Sequence, residues 1–289
     1  MSELRKRGLR DALVPGSFLE TKPMASAVPK IEAYLANEAF VPTEPRLAAT
    51  VMLLREGADA GLEVFMMRRA HTMAFVPDAV VFPGGGVSRL DYDPCPWDGP
   101  SPAEWSEKIG CSESDAAAFV VAAVRELFEE CGVLLASPAK AGGLALNASS
   151  WLDARRSLDG HELSLSAFLK RERLVLRADL LSLQSHWITP PYESRRYDTC
   201  FFAARIPEGQ RADSKTTESN GAAWIRPKEM LDLADRGEAI VVPPTVSNLS
   251  MLARTHSIDE LFSGTCVPNV MLRPVALEDG AVVLRSEIS

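Results

Sequence analysis

At 289 residues and 46% hydrophobic content, the chain is long enough for one large globular core, or for one domain with additions. A formal net charge of −8 and a pI near 5.2 exclude a nucleic-acid polymer as the expected partner, since such binding relies on Lys and Arg neutralising phosphates; small phosphorylated substrates stay open. The five cysteines, at 95, 111, 131, 200 and 266, are odd in number and contain no C-x-x-C, which fits reduced thiols in a cytoplasmic protein rather than a disulfide scaffold or zinc site.

Residues 1–28 mix Pro, Gly, Ser and charge without periodicity and read as an arm or a lightly packed extension. The basic residues Arg5, Lys6, Arg7 and Arg10 are followed by no apolar stretch, and no run approaches the roughly 18 apolar residues of a membrane span, so neither export nor membrane insertion is expected. From Arg46 the pattern changes. Leu47 to Arg55 and Leu62 to Arg69 are apolar runs joined by the turn Glu56 to Gly61, which predicts a hairpin of central strands. Ala79 to Phe82 predicts a third short strand, running into Pro83-Gly84-Gly85-Gly86, where consecutive glycines permit a sharp turn and close approach of the backbone to a ligand.

Ser101-Pro102-Ala103-Glu104 combines an N-cap, a first-turn proline and a capping-box glutamate, so Ser101 to Ile109 should form a short helix. Ser112 to Asp115 then caps a longer one. Along it Val120, Val124, Leu127 and Cys131 recur at helical spacing, so Ser114 to Cys131 reads as amphipathic with one buried stripe, ended by Gly132. On this helix Glu126 and Glu130 are i,i+4 neighbours and Glu129 lies three residues from Glu126, so three carboxylates crowd one sector. Each like-charged pair costs a few tenths of a kcal/mol, and the only local compensation is Arg125, i,i+4 to Glu129. A solvated acidic face is the bland alternative. A bound cation would offset the repulsion, and hard oxygen ligands without His or Cys suit Mg²⁺ or Mn²⁺.

Residues 134–182 read as mostly helical, with Trp151 to Arg156 and Leu165 to Arg173 as helices that carry no evident chemistry. Ser185 to Pro190 and Arg196 to Ile206 read as the next strands. There Trp187 offers a ring on which an adenine would stack, the alternative being a core Trp. Arg68, Arg69, Arg195 and Arg196 are candidate forks for phosphate oxygens, each alone being a plain surface charge. A polar loop, Thr216 to Gly221, precedes the strand Ala222 to Ile225 and the helix Pro227 to Leu233. Pro243 opens a last helix to about Arg254, and Val267 to Leu284 reads as a strand pair.

Arg125 to Val133, R-E-L-F-E-E-C-G-V, resembles the core of the Nudix box, G-x5-E-x7-R-E-U-x-E-E-x-G-U with U a bulky aliphatic residue. A string of that kind arises by chance in such a chain with probability on the order of 10⁻⁵. The resemblance implies that Glu126 and Glu130 are metal ligands, Glu129 a further ligand or base and Arg125 the orienting group, with a backbone carbonyl at Gly85 joining the metal shell. It also draws attention to Glu218, six residues before Trp224, where several family members place a ligand or general base.

The pattern departs from the family in its spacing, since Gly85 to Arg125 is 40 residues where the uninterrupted box has 14. About 26 residues are therefore inserted, and the upstream glutamate of the box would fall at Ala117, where it is missing. The interrupted box, Arg68-Arg69-x-x-Thr72-Met73-Ala74-Phe75, Trp187-Ile188-Thr189-Pro190 and Arg195-Arg196-Tyr197-Asp198-Thr199 together look like the Nudix branch that contains coenzyme A diphosphatases of the nudix-type-motif-19 kind.

The expected architecture is α/β: a Nudix fold, an α/β/α sandwich on a mixed sheet, with an N-terminal arm (1–45), a Nudix domain (46–255) interrupted by a helical insertion (88–112), and a C-terminal extension (256–289). The expected reaction is divalent-metal-dependent hydrolysis of a nucleoside diphosphate linked to another moiety, with coenzyme A or acyl-coenzyme A giving 3′,5′-ADP and 4′-phosphopantetheine. Alternatives are a pyrophosphatase on ADP-ribose, dinucleotides or NDP-sugars, and a non-catalytic nucleotide-binding module. The expected partner is a small nucleotide diphosphate, with no nucleic-acid polymer and no membrane; a homodimer is left open.

Overall fold

The structure, a computed structural model, describes residues 5–14, 16–37, 39–57, 61–69, 78–139, 151–213, 219–264 and 267–288. Strands β1 (Arg5–Arg7) and β2 (Ser17–Thr21) precede helix α1 (Val28–Leu35). The hairpin expected from the two apolar runs is present as β3 (Arg46–Glu56) and β4 (Leu62–Arg69), paired antiparallel near the turn. Farther from it the short strands β5 (Val80–Val81) and β6 (Gly84–Gly86) take over, β5 pairing with β4 and β6 with β3.

The insertion holds β7 (Trp97–Asp98) and α2 (Pro102–Ile109), whose reciprocal capping box between Ser101 and Glu104 forms as its sequence demands. Helix α3 (Glu113–Cys131) begins at the Ser112 cap and ends on Gly132, which takes the left-handed conformation (φ 68°). Beyond β8 (Ala136–Pro138) come α4 (Leu152–Asp159), α5 (Leu165–Glu172), β9 (Leu174–Arg177), β10 (Leu181–Ile188) and β11 (Tyr197–Arg205). The chain continues through β12 (Ser219–Ile225), α6 (Pro227–Asp235), α7 (Pro243–Leu252) and α8 (Ile258–Ser263). It closes with β13 (Asn269–Val270), β14 (Arg273–Ala276) and β15 (Val282–Glu287).

The central sheet runs β12-β4-β3-β11-β10-β13 and is mixed: β3 and β11 are parallel, as are β10 and β13, while the other neighbours are antiparallel. Because successive strand residues face opposite sides, the apolar runs divide cleanly between two cores. Ala49, Val51, Leu53, Phe65, Met67 and Phe202 pack with α2, α3 and α5. Met52, Leu54, Val64, Met66, Phe201 and Trp187 pack on the other face with residues of α1, α6, α7, α8 and β15. This is the three-layer sandwich read from the sequence.

Two expectations are corrected by the packing. Helix α3 is not amphipathic with one stripe: Phe119, Val121, Ala122, Ala123 and Phe128 are buried as well, because the inserted α2, with α4 and α5, covers the side that would otherwise face water. The N-terminal stretch is more tightly held than its composition suggests, since β2 pairs with β15, and Leu19 and Ile31 enter the second core with 0% and 1% exposure. Aperiodic sequence here reflects short elements, too brief for periodicity to register. Among the described residues no helix is long and apolar enough to cross a membrane.

Candidate active site

The three glutamates of α3 are brought to one end of the sheet, beside the glycine strand β6. Arg125, 2% exposed, spreads its guanidinium over several acceptors. Nη1 donates to Glu126 Oε1 at 2.7 Å and to Glu129 Oε2 at 2.8 Å. Nε and Nη2 donate to the two carboxylate oxygens of Asp91 at 2.8 and 3.0 Å, and Nη2 also reaches the Gly86 carbonyl at 2.9 Å. One buried cation therefore fixes two of the crowded carboxylates and the glycine strand together, which offsets the repulsion read from the helix.

Asp91 was missed by the sequence reading and corrects the alignment of the motif. It lies at the sixth position after Gly85, where the uninterrupted box has its upstream glutamate, is 1% exposed, and grips Arg125 with both oxygens. The insertion thus follows this acidic position instead of preceding it, and Ala117 has no part in the box. The signal was present in the preserved Gly-x5-acid spacing, hidden by the change from Glu to Asp.

The glycines earn their place sterically. A Cβ on Gly84 would sit 2.4 Å from the Ala49 carbonyl oxygen and 2.6 Å from the Thr50 Cα, so only glycine lets β6 approach β3 this closely. A Cβ on Gly85 would sit 2.4 Å from Glu126 Oε1, so the Glu126 carboxylate rests against the bare backbone. Gly84 N–H in turn donates to Glu130 Oε2 at 2.7 Å. From behind, α4 supplies Arg155, whose Nε donates to the Glu129 carbonyl at 2.8 Å and whose Nη1 pairs with Asp213 at 2.8 Å. A cation at the last turn of α3 is favoured by the helix dipole and holds the end that carries the glutamates. No chemistry was legible in that region of the sequence.

The carboxylates differ in environment. Burial pushes the Glu129 carboxyl up to about 8, against the opposing pull of Arg125. Its Oε1 is buried with no hydrogen-bond partner among the described residues. An all-oxygen set with an unsatisfied carboxylate oxygen fits a hard divalent cation. Among the described residues no group of three or more acidic, His or Cys side chains would hold a metal unaided. A cation there would take its remaining ligands from water and substrate phosphates, as Mg²⁺ does. Glu126, Glu130 and Glu129, with the Gly85 carbonyl, are the groups that would hold it.

These residues open onto a cavity of about 780 Å³, whose lining includes Glu126, Glu129, Glu130 and Gly84 to Gly86 as well as Trp187, Tyr192, Phe201 and residues of the N-terminal arm. Of the candidate substrate-binding residues, Arg69 lines this cavity, with a buried Nε that has no partner among the described residues. Trp187 also lines it, but is 4% exposed and packs into the second core. Arg68 and Arg195 are exposed and lie off the cavity wall. Arg196 is spent on the protein itself, donating to the Thr189 carbonyl at 3.0 Å and the Thr43 carbonyl at 2.7 Å, with Nη2 against the Met271 sulfur. It clamps β11 to its neighbours and has no fork left for phosphate. Glu218 lies outside the described residues, as do Thr72 to Phe75.

A family model described as the NUDT19 Nudix domain matches residues 93–252. Among similar proteins, the Caenorhabditis elegans putative nudix hydrolase 7 is 30% identical over 219 residues, covering 74% of this chain and 62% of that protein. The human acyl-coenzyme A diphosphatase NUDT19 is 30% identical over 241 residues, covering 70% of this chain and 63% of that protein. The chain thus spans somewhat under two thirds of the length of these relatives. Among solved structures, a NUDIX hydrolase from Alicyclobacillus acidocaldarius superposes with a TM-score of 0.62 at 29% identity, covering 77% of this chain and 97% of that one.

Proposed function

Because the chain belongs to the Nudix hydrolase family, in the group defined by the NUDT19 Nudix domain, we propose that it hydrolyses the diphosphate of coenzyme A or an acyl-coenzyme A to 3′,5′-ADP and a 4′-phosphopantetheine product. The observation that carries the hydrolytic part is the gathering of three carboxylates, Glu126 and Glu129 on a single buried arginine and Glu130 on the Gly84 N–H, at the wall of a cavity large enough for a nucleotide. The substrate rests on the human, chicken and frog relatives, which are named acyl-coenzyme A diphosphatases.

In this reading, water attacks one phosphorus of the diphosphate, the bridging P–O bond breaks, and the leaving phosphate carries away the electron pair. A bound divalent cation, Mg²⁺ or Mn²⁺, would neutralise phosphate oxygens and lower the pKa of the attacking water. Glu126 and Glu130 are held by Arg125 and Gly84 N–H in position to bind it. Glu129, whose Oε1 has no hydrogen-bond partner among the described residues, is one candidate to accept the proton of the water, and Glu218 is the second. Arg69, on the cavity wall, is placed to meet a phosphate oxygen.

The test is a substrate panel of coenzyme A, an acyl-coenzyme A, ADP-ribose, a dinucleoside polyphosphate and an NDP-sugar, assayed with Mg²⁺, with Mn²⁺ and with chelator, and with the products identified. Release of 3′,5′-ADP from coenzyme A, abolished by chelation, is the expected result. Preferred cleavage of ADP-ribose would replace the substrate while leaving the hydrolase reading intact, and no cleavage of any diphosphate would sink both.

A further inference from the structure

The cavity that holds the carboxylates is lined partly by the N-terminal arm. Lys22, directly after β2, and Met24, Ser26, Ala27 and Lys30 line it, together with Arg46 at the start of β3. The arm is fixed there by several contacts. β2 pairs with β15 from Leu284–Thr21 onward, Lys30 forms a 2.6 Å ion pair with Glu193, and Tyr34 meets Tyr192 edge to face. Tyr192 and Glu193 are themselves cavity residues, so α1 braces the loop that closes this end.

The cations that line this cavity differ in kind. Lys30 is neutralised by Glu193, and Arg125, beside the glutamates, by three carboxylates. Lys22 and Arg46 are exposed and have no acidic partner among the described residues, although the chain as a whole is acidic by eight charges. Two exposed cations without acidic partners among the described residues, lining the same cavity as the carboxylates, give it a local positive field.

We propose that Lys22 and Arg46 form an anion subsite that takes a phosphate monoester carried by the substrate in addition to its diphosphate, so that the N-terminal arm sets specificity. This rests on the reading of the chain as a diphosphatase. The diphosphate belongs with the carboxylates, where a cation bridges like charges; a further phosphate needs positive side chains set away from them. It also moves the selection of that phosphate away from Arg68, Arg195 and Arg196, which the fold keeps off the cavity wall or occupies elsewhere.

The experiment compares two substrate pairs that differ by one phosphate monoester: coenzyme A against dephospho-coenzyme A, and NADP⁺ against NAD⁺. For each pair the ratio of kcat/KM values, phosphorylated over unphosphorylated, is measured on the full chain as wild type, Lys22→Glu, Arg46→Glu and Arg195→Glu. Both cavity residues are exposed, so the variants should fold, and melting temperatures check this. The wild type is expected to prefer the phosphorylated member of at least one pair. Lys22→Glu and Arg46→Glu should each lower that ratio about tenfold, the loss arising mainly in KM, whereas Arg195→Glu should change it less than twofold, as for a screened charge off the wall. A wild type without preference in either pair, or cavity variants that keep the wild-type ratio, or an Arg195→Glu effect as large as theirs, overturns the subsite. If neither coenzyme A nor its dephospho form is cleaved, the coenzyme A reading fails, and the nucleotide pair alone decides the subsite.

Discussion

The two walls of the cavity are built on opposite physical terms. On the α3 side Glu129 and Glu130 are nearly buried, Glu126 is only partly exposed, and a 2%-exposed arginine crosslinks Glu126 and Glu129 to Asp91 and the glycine strand, so each group is fixed by several partners. On the arm side Lys22 and Arg46 stand in solvent without acidic partners among the described residues. Buried, over-determined groups hold geometry, and their loss costs much; exposed ones tune affinity at little cost to the fold. If the proposed roles hold, chemistry and selectivity fall to groups of different rigidity, and substitutions should separate them.

The largest effect should come from Glu130→Gln. A Gln oxygen can still accept from Gly84 N–H, so the melting temperature should hold, while kcat falls roughly 10³-fold through loss of a metal-binding charge. Wild-type turnover in this variant would remove Glu130 from the site. Next is Asp91→Ala, which deprives the buried Arg125 of two of its acceptors and should lower unfolding stability by about 3 kcal/mol in urea titration. A loss below about 0.5 kcal/mol, the level of an exposed pair, would deny the buried wall its rigidity.

Gly85→Ala should act through geometry alone. The added methyl must displace the Glu126 carboxylate, and a shift near 1 Å at a reacting centre costs on the order of 10²-fold in kcat, with a small change in melting temperature. An unaffected kcat would mean that Glu126 need not rest against that backbone.

The smallest effect belongs to the arm side. Hydrogen bonds from Lys6 and Arg285 hold the Glu20 carboxyl below its ordinary value. A depressed carboxylate adds stability that is present above the unfolded value near 4.3 and is lost as pH falls through the folded one. Glu20→Gln should therefore destabilise at pH 7 by about 0.5 kcal/mol, given the exposure of Lys6, and the gap from wild type should close below about pH 4. A gap that persists at pH 3 would point to packing instead of charge.

Much of the α3 wall could be read from the chain because its residues are contiguous. Helical spacing places Glu126, Glu129 and Glu130 together without reference to the rest of the molecule, and the capping signals at Ser101, Ser112 and Gly132 act within a few residues. The strands were legible for the same reason, since near-continuous apolar runs on β3, β4 and β11 report two buried faces directly. Asp91 escaped because an insertion separates it from Arg125 by 34 residues, so only their contact across the fold reveals it.

The sequence by itself determined the acidic helix, its crowded carboxylates and the family to which that motif belongs, all carried by local spacing. Tertiary structure decided which arginines face the cavity. Arg68 and Arg69 are adjacent in the chain yet differ, because successive strand residues point to opposite sides, and Arg196 is consumed by backbone carbonyls that no sequence pattern announces. It also decided that the arm reaches the cavity, since the pairing of β2 with β15 joins residues more than 260 positions apart, and such contacts depend on where the intervening chain packs.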